Sequence, residues 1–349
     1  MPTTITKSIG TTGRDYSTLQ AWEDAIPANL VTADEVHVGE CYNDSEFTGA
    51  GILLSIASHT TDATRFIKLT TGSGQSFMDH ANKLTNGLRY NVSNGVGIRQ
   101  TSGSDQSTIH VNLTLNVIIE KIQVRSVGNY GSCAIRVSRG NVYDGGSSIV
   151  QNCIMESTGI TSNTVERAAF KLDQSSGVAR NCLIIMNGTA GNGVGIRSGA
   201  SIYNCTIVRP SDKTAANFGI RGEFVSNSVI KNCAVFGFTD FSDSTSWHSS
   251  SNYNQSDDAT NIPGANSNGT RVYANQFEQS SAASGLHDFR LKTGSDCNGA
   301  GTPDSTHAPA DIVGTTRDAT TPDVGAWEFT AVVTSFPFFN SRIAHLLVR

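Results

Sequence analysis

Charged residues are scarce in this sequence, and several features that would point to particular functions are missing. Lys, Arg, Asp and Glu make up 16% of the 349 residues, and the net charge is only -5. No long basic block occurs, so we do not expect nucleic acid as a main partner. No apolar run of about 18 residues occurs, so we expect no helix that spans a membrane. The first residues, MPTTITKSIGTTGRDYS, show no charged segment followed by an apolar one and do not resemble a secretory signal.

Motifs for binding metals and phosphates are also missing. The seven cysteines form no C-x-x-C pair, and none lies at a ligand spacing from a histidine. The eight histidines form neither H-x-H nor H-E-x-x-H. Gly193 and Gly195 are not followed by the Gly-Lys-Ser/Thr of a phosphate-binding loop. We therefore predict neither a metal site nor a cofactor.

The sequence is instead rich in glycine and small polar residues, with short apolar runs between them. Gly accounts for 34 residues, and apolar residues make up 38% of the chain. A helical protein would need more Ala, Leu, Glu and Lys. Val, Ile and Leu are spread along the whole chain, which is not typical of disorder. This composition favours many short strands joined by tight turns.

Two short phrases recur in the central part of the chain. One contains Asn-Cys inside an alternating apolar run, and Ile122 occupies the cysteine position in an earlier copy. Its cysteines, 23 to 29 residues apart, are Cys153, Cys182, Cys205 and Cys233. The other phrase places an apolar residue before a basic one, and its basic residues are Arg99, Arg136, Lys171, Arg197 and Arg221. Repeats of this length with period-two alternation indicate stacked units of short strands.

The repeat predicts an all-β solenoid, a parallel β-helix. A propeller blade would need about 40 residues and four strands, and an antiparallel sandwich would need frequent hairpin signals. Equivalent residues of successive coils stack about 4.8 Å apart in such a fold. We expect Ile122 and the four cysteines to form an inward core ladder with reduced thiols. The asparagine before each cysteine either marks a bend or faces outward.

The N-terminal residues 1–40 predict a strand and a short capping helix. Residues 17–20, STLQ, have the pattern of a capping box. Leu19, Trp22 and Ile26 would share one face, and Pro27 would end the helix. Because open strand edges invite aggregation, we expect this helix to cover the first coil. An ordinary surface helix is the alternative.

The stretch DIVGTTRDATTPDVGAWEF, residues 311–329, resembles the closing phrase of many bacterial and phage proteins of the pectin-lyase-like, right-handed parallel β-helix group. The matching residues are Asp311, Ile312, Gly314, Arg317, Asp323, Gly325, Ala326 and Glu328. The N-terminal GRDYSTLQAW also resembles the lead-in of phage-encoded members. The resemblance implies a single-stranded, right-handed β-helix over residues 41–329 that ends in a capping motif. It implies no particular activity, because this fold carries lyases, hydrolases, adhesins and structural rods.

An apolar, aromatic-rich tail, residues 330–349, follows the capping motif. We expect it to be a docking segment, because free termini are usually disordered unless they pack on something. Its docking side chains would be Phe336, Phe338, Phe339, Leu346 and Leu347. The habit of the family suggests a homo-oligomer, such as a trimer.

The acidic candidates for catalysis follow the last Asn-Cys phrase, and they are Asp240, Asp243, Asp257 and Asp258. Glycoside hydrolysis needs two carboxylates, and lyases of the resembled group use an acidic cluster that holds Ca²⁺ with a basic residue as base. Trp247 and Tyr253 lie between these acids and are candidates for sugar contact. A solvated loop insertion is the alternative.

The five repeated basic residues would lie along one face of the rod. They would bind an anionic surface or a glycan phosphate, or they would form a solvated edge that discourages unwanted strand pairing.

These features together predict a bacteriophage virion protein on the particle surface: a capsid decoration, head fibre or tail-associated spike. It would contact other virion proteins through its termini, and host surface polysaccharide is a further partner. Without a secretory signal, we expect assembly in the host cytoplasm and localisation in the virion. We lean against an enzyme; the alternatives are a polysaccharide lyase or glycoside hydrolase (a depolymerase) and a non-catalytic glycan-binding adhesin.

Overall fold

The computed structural model of the protein describes residues 1–79, 86–102, 106–112, 114–127, 133–138, 146–158, 168–188, 193–213, 216–222, 228–242, 247–280 and 286–330. Within these residues nearly all regular structure is β-strand. Successive strands return in turn to three parallel sheets, each of which gains one strand per coil. The all-β class and the parallel β-helix architecture predicted from the repeat are confirmed.

The three sheets run along the length of the rod. The first contains Thr3–Ile9, Glu35–Cys41, Ile67–Thr71, Val117–Glu120, Ile149–Gln151, Val178–Arg180, Ser201–Tyr203 and Ile230–Lys231. The second contains Leu54–Ile56, Ile109–Val111, Ile135–Val137, Ala168–Leu172, Val194–Ser198, Ala216–Gly222 and Phe238–Ser242. The third contains Phe47–Ala50, Gly97–Ser102, Gln123–Ser126, Ile154–Ser157, Leu183–Met186, Thr206–Val208, Ala234–Phe236 and Gln255–Ser256. An antiparallel pair, Phe277–Gln279 with Asp288–Leu291, follows the coils.

The repeated asparagines form the bend between the first and third sheets. In the coil that contains Val178–Arg180 and Leu183–Met186, only Asn181 and Cys182 separate the two strands. All four asparagines have a left-handed backbone: φ is 51° at Asn152, 49° at Asn181, 48° at Asn204 and 55° at Asn232. Asparagine adopts this conformation more readily than most residues. The need for one left-handed bend per coil therefore explains why the residue recurs. We call these four residues the asparagine row.

The residue after each asparagine points into the rod, as does Ile122 after Lys121, which has the same left-handed backbone with φ of 63°. Ile122, Cys153, Cys182, Cys205 and Cys233 are fully buried in one inner apolar cluster. All seven cysteines of the chain are buried and free. The thiol of Cys182 also donates to the carbonyl oxygen of Val150 in the preceding coil, at 3.5 Å. Four small, soft thiol side chains thus fill the part of the interior beside this bend.

The N-terminal helix packs against the first coils but begins one residue later than predicted. It spans Leu19–Glu23, and a second short helix spans Leu30–Ala33. Thr18 is the N-cap residue, and its hydroxyl oxygen accepts a hydrogen bond from the Ala21 amide at 3.1 Å. The predicted capping box at residues 17–20 is therefore wrong, because the Gln20 side chain is engaged elsewhere: it donates to Glu23 and accepts from the Ser55 amide. The helix also ends before Pro27.

The side chains predicted to share one face of the helix do enter the core. Leu19, Trp22 and Ile26 are buried in the inner cluster. The helix packs on the strand Leu54–Ile56, which begins the second sheet. The burial of three large side chains thus attaches the N-terminal segment to the coils.

The chain after the last coil runs back along the outside of the third sheet. The outward side chains of this sheet include Ile154, Leu183, Ile185, Val208 and Phe236. They are covered by apolar residues of the C-terminal segment, which include Phe277, Phe289, Ile312, Val324 and Trp327. The motif at residues 311–329 therefore lies along the side of several coils and not over an open end, because this apolar outer face needs a cover. The predicted domain boundaries stay predictions.

Residues 331–349, which include Phe336, Phe338, Phe339, Leu346 and Leu347, lie outside the described residues, so their docking stays a prediction.

Among the described residues, no helix has the length and apolar character needed to cross a membrane.

Candidate functional site

Four of the repeated basic residues form an in-register row on the second sheet. Arg136 is paired with Lys171, Lys171 with Arg197, and Arg197 with Arg221 on adjacent parallel strands. His110, on the preceding strand of the same sheet, is paired with Arg136. Because neighbouring strands lie about 4.8 Å apart, four cationic side chains are brought close together along the rod. We call Arg136, Lys171, Arg197 and Arg221 the basic row.

Arg99 does not belong to this row. It lies on the third sheet, where its neighbour on the next strand is Arg125. Its guanidinium group donates to the carboxylate of Glu46 at 2.9 and 2.7 Å. The prediction that all five basic residues share one face is therefore wrong for Arg99, because the local apolar-basic pattern does not specify which sheet a strand joins.

The basic row is partly neutralised from within. Lys171 Nζ lies 3.1 Å from Oδ2 of the buried Asp173, and Arg136 donates from Nε to the hydroxyl oxygen of Ser138. Burial lowers the pKa of His110, and the charges of Arg136 and Lys171 lower it further. His110 therefore stays neutral at pH 7. The lowering by Arg136 and Lys171 also shows that the basic row creates a positive local field.

All four side chains of the basic row are partly exposed. Like charges on directly opposed positions of neighbouring strands repel each other. An anion that bridges several coils would reduce this repulsion and would accept charge-assisted hydrogen bonds. The row therefore has the chemistry of a surface for repeated anionic groups.

The structure does not bring the acidic candidates together on one sheet. Asp240 lies on the last strand of the second sheet, opposite Phe218, whereas Asp257 and Asp258 follow the last strand of the third sheet. Asp243 lies outside the described residues. Asp240 is thus separated from the other two by the course of the coil.

Asp257 is the acidic candidate with the most altered environment. Both of its carboxylate oxygens accept hydrogen bonds from the Gly237 amide at 3.1 Å. Burial raises the pKa of Asp257 to about 6 against the opposing effect of these bonds, and the charge of Asp258 adds to the rise. Asp258 accepts from the Thr260 amide at 2.7 Å, as a turn residue does.

The two aromatic candidates are also separated. Trp247 lines a cleft of about 270 Å³ together with His248, Asn261 and Pro263. Tyr253 lies in a left-handed turn with φ of 55° and does not line this cleft. Trp247 also packs against the inner core, which gives it a structural role.

A network on the third sheet was missed from the sequence. Arg125 donates to the carboxylate of Glu156 at 2.6 Å and lies 4.1 Å above the ring of Tyr90. The hydroxyl group of Tyr90 donates to Glu46 at 2.7 Å, and Glu46 also binds Arg99. The members of this network come from separate coils, so no local sequence pattern contains them all. The alternation of QVRS at Gln123–Ser126 indicates only that the side chain of Arg125 faces outward. The two arginines and the two glutamates of this network therefore largely neutralise each other's charge.

Within the described residues, no group of three or more His, Cys, Asp or Glu side chains could hold a metal ion. The candidate sites that the described residues do form are the basic row, the network on the third sheet and the clefts of the surface.

No protein-family model matched the chain, and no curated protein sequence did. Among solved structures, the chain is similar to pectate lyase Pel9A, with 12% identity and a TM-score of 0.43. The alignment covers 95% of this chain and 97% of that chain.

Proposed function

We propose that this protein is a structural component of a bacteriophage particle surface, a capsid decoration, head fibre or tail-associated spike, that contacts anionic host glycans without cleaving them. The in-register basic row is the observation that carries the glycan contact. The resemblance of both terminal phrases to phage-encoded β-helix proteins supports the phage assignment. On this proposal the protein resides in the virion, and the tail at residues 330–349 docks on neighbouring virion proteins or on other copies of the chain.

The basic row suits phosphate groups that repeat along a glycan. Arginine and lysine bind phosphate through charge-assisted hydrogen bonds. One cation per coil gives a rigid spacing set by the backbone rather than by flexible loops. Because the side chains are partly exposed, their attraction for an anion should weaken as salt increases.

Binding to lipopolysaccharide, with neutral dextran as a control ligand, tests this contact. We expect wild-type protein to bind lipopolysaccharide in a salt-dependent way and to ignore dextran. The double variant Arg136→Gln/Arg197→Gln should weaken binding at least about tenfold. Arg180→Gln is the matched control, because Arg180 lies on the first sheet and donates to Gln151. Equal weakening by both variants, or no binding by wild type, would contradict the proposal.

The phage assignment has its own test. Antibodies raised against the chain should label the surface of purified particles in electron microscopy. Detection of the chain only in the soluble fraction of a lysate, with unlabelled particles, would contradict a place in the virion.

A depolymerase is the second candidate, and Asp257 is the residue that favours it. A carboxyl group with a pKa near 6 can donate a proton close to neutral pH. New reducing ends or unsaturated products from the same lipopolysaccharide, lost in Asp257→Asn, would replace our proposal with this one. Binding to glycan without turnover and without particle association would instead indicate an adhesin.

A further inference from the structure

A cleft lies where the C-terminal segment crosses the asparagine row. Its volume is about 280 Å³, and Asn204 lines it from the side of the coils. Residues of the C-terminal segment line the rest, among them Asp304, Arg317 and Asp318. The cleft lies at the bend between the first and third sheets, away from the basic row on the second sheet.

Three members of the asparagine row bind the C-terminal segment directly. Their side-chain nitrogens donate to main-chain carbonyl oxygens at 2.7 to 3.0 Å: Asn152 to Asp311, Asn181 to Ala310 and Asn232 to Thr302. The segment thus follows the row and supplies an acceptor oxygen at each of these bends.

Asn204 is different from the other three members. It is 1% exposed, and its side-chain nitrogen has no hydrogen-bond partner among the described residues. The Nε atom of Arg317, which also lines the cleft, is a second buried donor without a described partner. Leaving buried donors unpaired is costly, so an acceptor oxygen at this position would be favourable.

One bridging water molecule does not account for the cleft. A water molecule takes up about 30 Å³ in the liquid, whereas the cleft holds about 280 Å³. The volume is close to the lower end of the range for small-molecule sites, roughly 300 Å³. A ligand of several non-hydrogen atoms with at least one acceptor oxygen would fit better than water alone.

The walls of the cleft limit the chemistry of this ligand. Pro303, Pro309 and Pro322 provide apolar C–H surfaces, and Asp304 and Asp318 provide carboxylates that accept hydrogen bonds. The imidazole of His307, 2.8 Å from the Asp304 carboxylate, holds that group in place. The ligand should therefore have an apolar face, hydroxyl donors and an acceptor oxygen.

The charges around the cleft disfavour an anion. Arg317 is already paired with Glu328 at 3.1 Å, and Lys231 lies 3.7 Å from Asp304. Asp318 adds a further carboxylate, so acidic groups outnumber basic ones. We propose that this cleft binds a neutral sugar unit, with Asn204 donating to one of its oxygens and the prolines packing on its C–H face.

This inference goes beyond the glycan contact of the basic row, because it concerns another face of the rod and a ligand without charge. Either site could bind while the other does not. The double variant of the basic row should therefore leave sugar binding in the cleft unchanged, which keeps the two proposals separable.

Saturation-transfer NMR with the methyl glycosides of glucose, galactose, mannose and N-acetylglucosamine tests the inference. We expect at least one of them to bind the full-length protein with a Kd in the range of about 1 to 10 mM. Asn204→Asp keeps the size of the side chain and its tolerance of the left-handed bend but removes the donor. It should weaken binding at least about tenfold.

Asn266→Asp is the matched control. Asn266 is exposed, has φ of 60° and does not line the cleft, so the same substitution there should leave binding unchanged. Melting curves of both variants check that each retains its fold. The inference is overturned if none of the four glycosides gives a saturable signal, or if both variants bind equally well. Crystals soaked in these glycosides give a further test. If their cleft contains ordered water and no glycoside, the inference is also overturned.

Discussion

At the residue scale, Asn181 shows how one asparagine of the row performs two tasks. Asn181 forms the left-handed bend with φ of 49°. Its side chain donates to the Ala310 carbonyl at 2.7 Å and accepts from Arg317 at 3.0 Å. The same residue therefore turns the chain from the first sheet to the third and attaches the C-terminal segment.

Substitutions at Asn181 should separate these two tasks. Asn181→Ala loses both hydrogen bonds and replaces asparagine by a residue that adopts the left-handed region less readily, so we expect a loss of about 3 kcal/mol in the free energy of unfolding. Asn181→Gly loses the hydrogen bonds but tolerates the bend, and it should be less destabilising by about 1 kcal/mol. Chemical denaturation measures both values. Equal losses in the two variants would show that the bend itself costs little.

At the scale of a single element, a buried ion pair attaches the N-terminal helix to the coils. Glu23 accepts from the Ala57 amide at 3.1 Å and lies 2.9 Å from Nε2 of His59. The other ring nitrogen of His59 faces the Pro27 carbonyl oxygen at 3.0 Å. Burial by itself lowers the pKa of His59, but the hydrogen bonds to Glu23 and Pro27 and the charge of Glu23 outweigh it, so the pKa is raised. Both ring nitrogens face acceptors, which suits the protonated form.

This raised pKa predicts a pH-dependent stability. A histidine whose pKa is higher in the folded chain contributes most below its unfolded pKa, about 6.5, and the contribution is lost as the pH rises through the folded value. Wild type should therefore lose more stability than His59→Gln between about pH 6 and pH 8. Melting temperatures of both proteins across this range are the measurement. Parallel curves would mean that His59 does not titrate in this range.

At the scale of the whole molecule, the described residues form two apolar cores with different roles. The inner cluster fills the coils, whereas the outer cluster joins the third sheet to the C-terminal segment. Ala326 is fully buried in the outer cluster, and its amide donates to the Thr206 hydroxyl oxygen at 2.8 Å. Because the two clusters are separate, the outer core should be able to open while the coils stay folded.

Ala326→Asp tests this hierarchy, because it places an unpaired charge in the outer core. We expect trypsin to cleave the C-terminal segment at least about tenfold faster in this variant, while the coils remain as a resistant fragment. Ala319→Asp, at an exposed position of the same segment, is the control and should be cleaved at the wild-type rate. Mass spectrometry identifies the fragments. Loss of the whole chain without a resistant fragment would show that the two cores unfold as one unit.

Sequence patterns predicted some parts of the candidate sites and not others. The row from Arg136 to Arg221 follows from the repeat, because equivalent positions of a β-helix stack. Arg99 carries the same local pattern but joins another sheet, and nothing within its own strand reveals this. Asp240 and Asp257 are near in sequence, yet Asp240 lies on the second sheet and Asp257 follows the last strand of the third, since the chain turns between them. Neighbours in sequence are thus poor guides to neighbours in a solenoid.

The sequence by itself determined the coil. Period-two alternation, a left-handed asparagine and a small buried residue after it are local requirements, and each can be identified within a few residues. Only the tertiary structure decided the path of the C-terminal segment and the cleft at Asn204. The hydrogen bond from Asn152 to the Asp311 carbonyl joins residues 159 positions apart, and the apolar face that it helps to cover is assembled from several coils. Such contacts depend on how separate coils come together, so no local pattern specifies them.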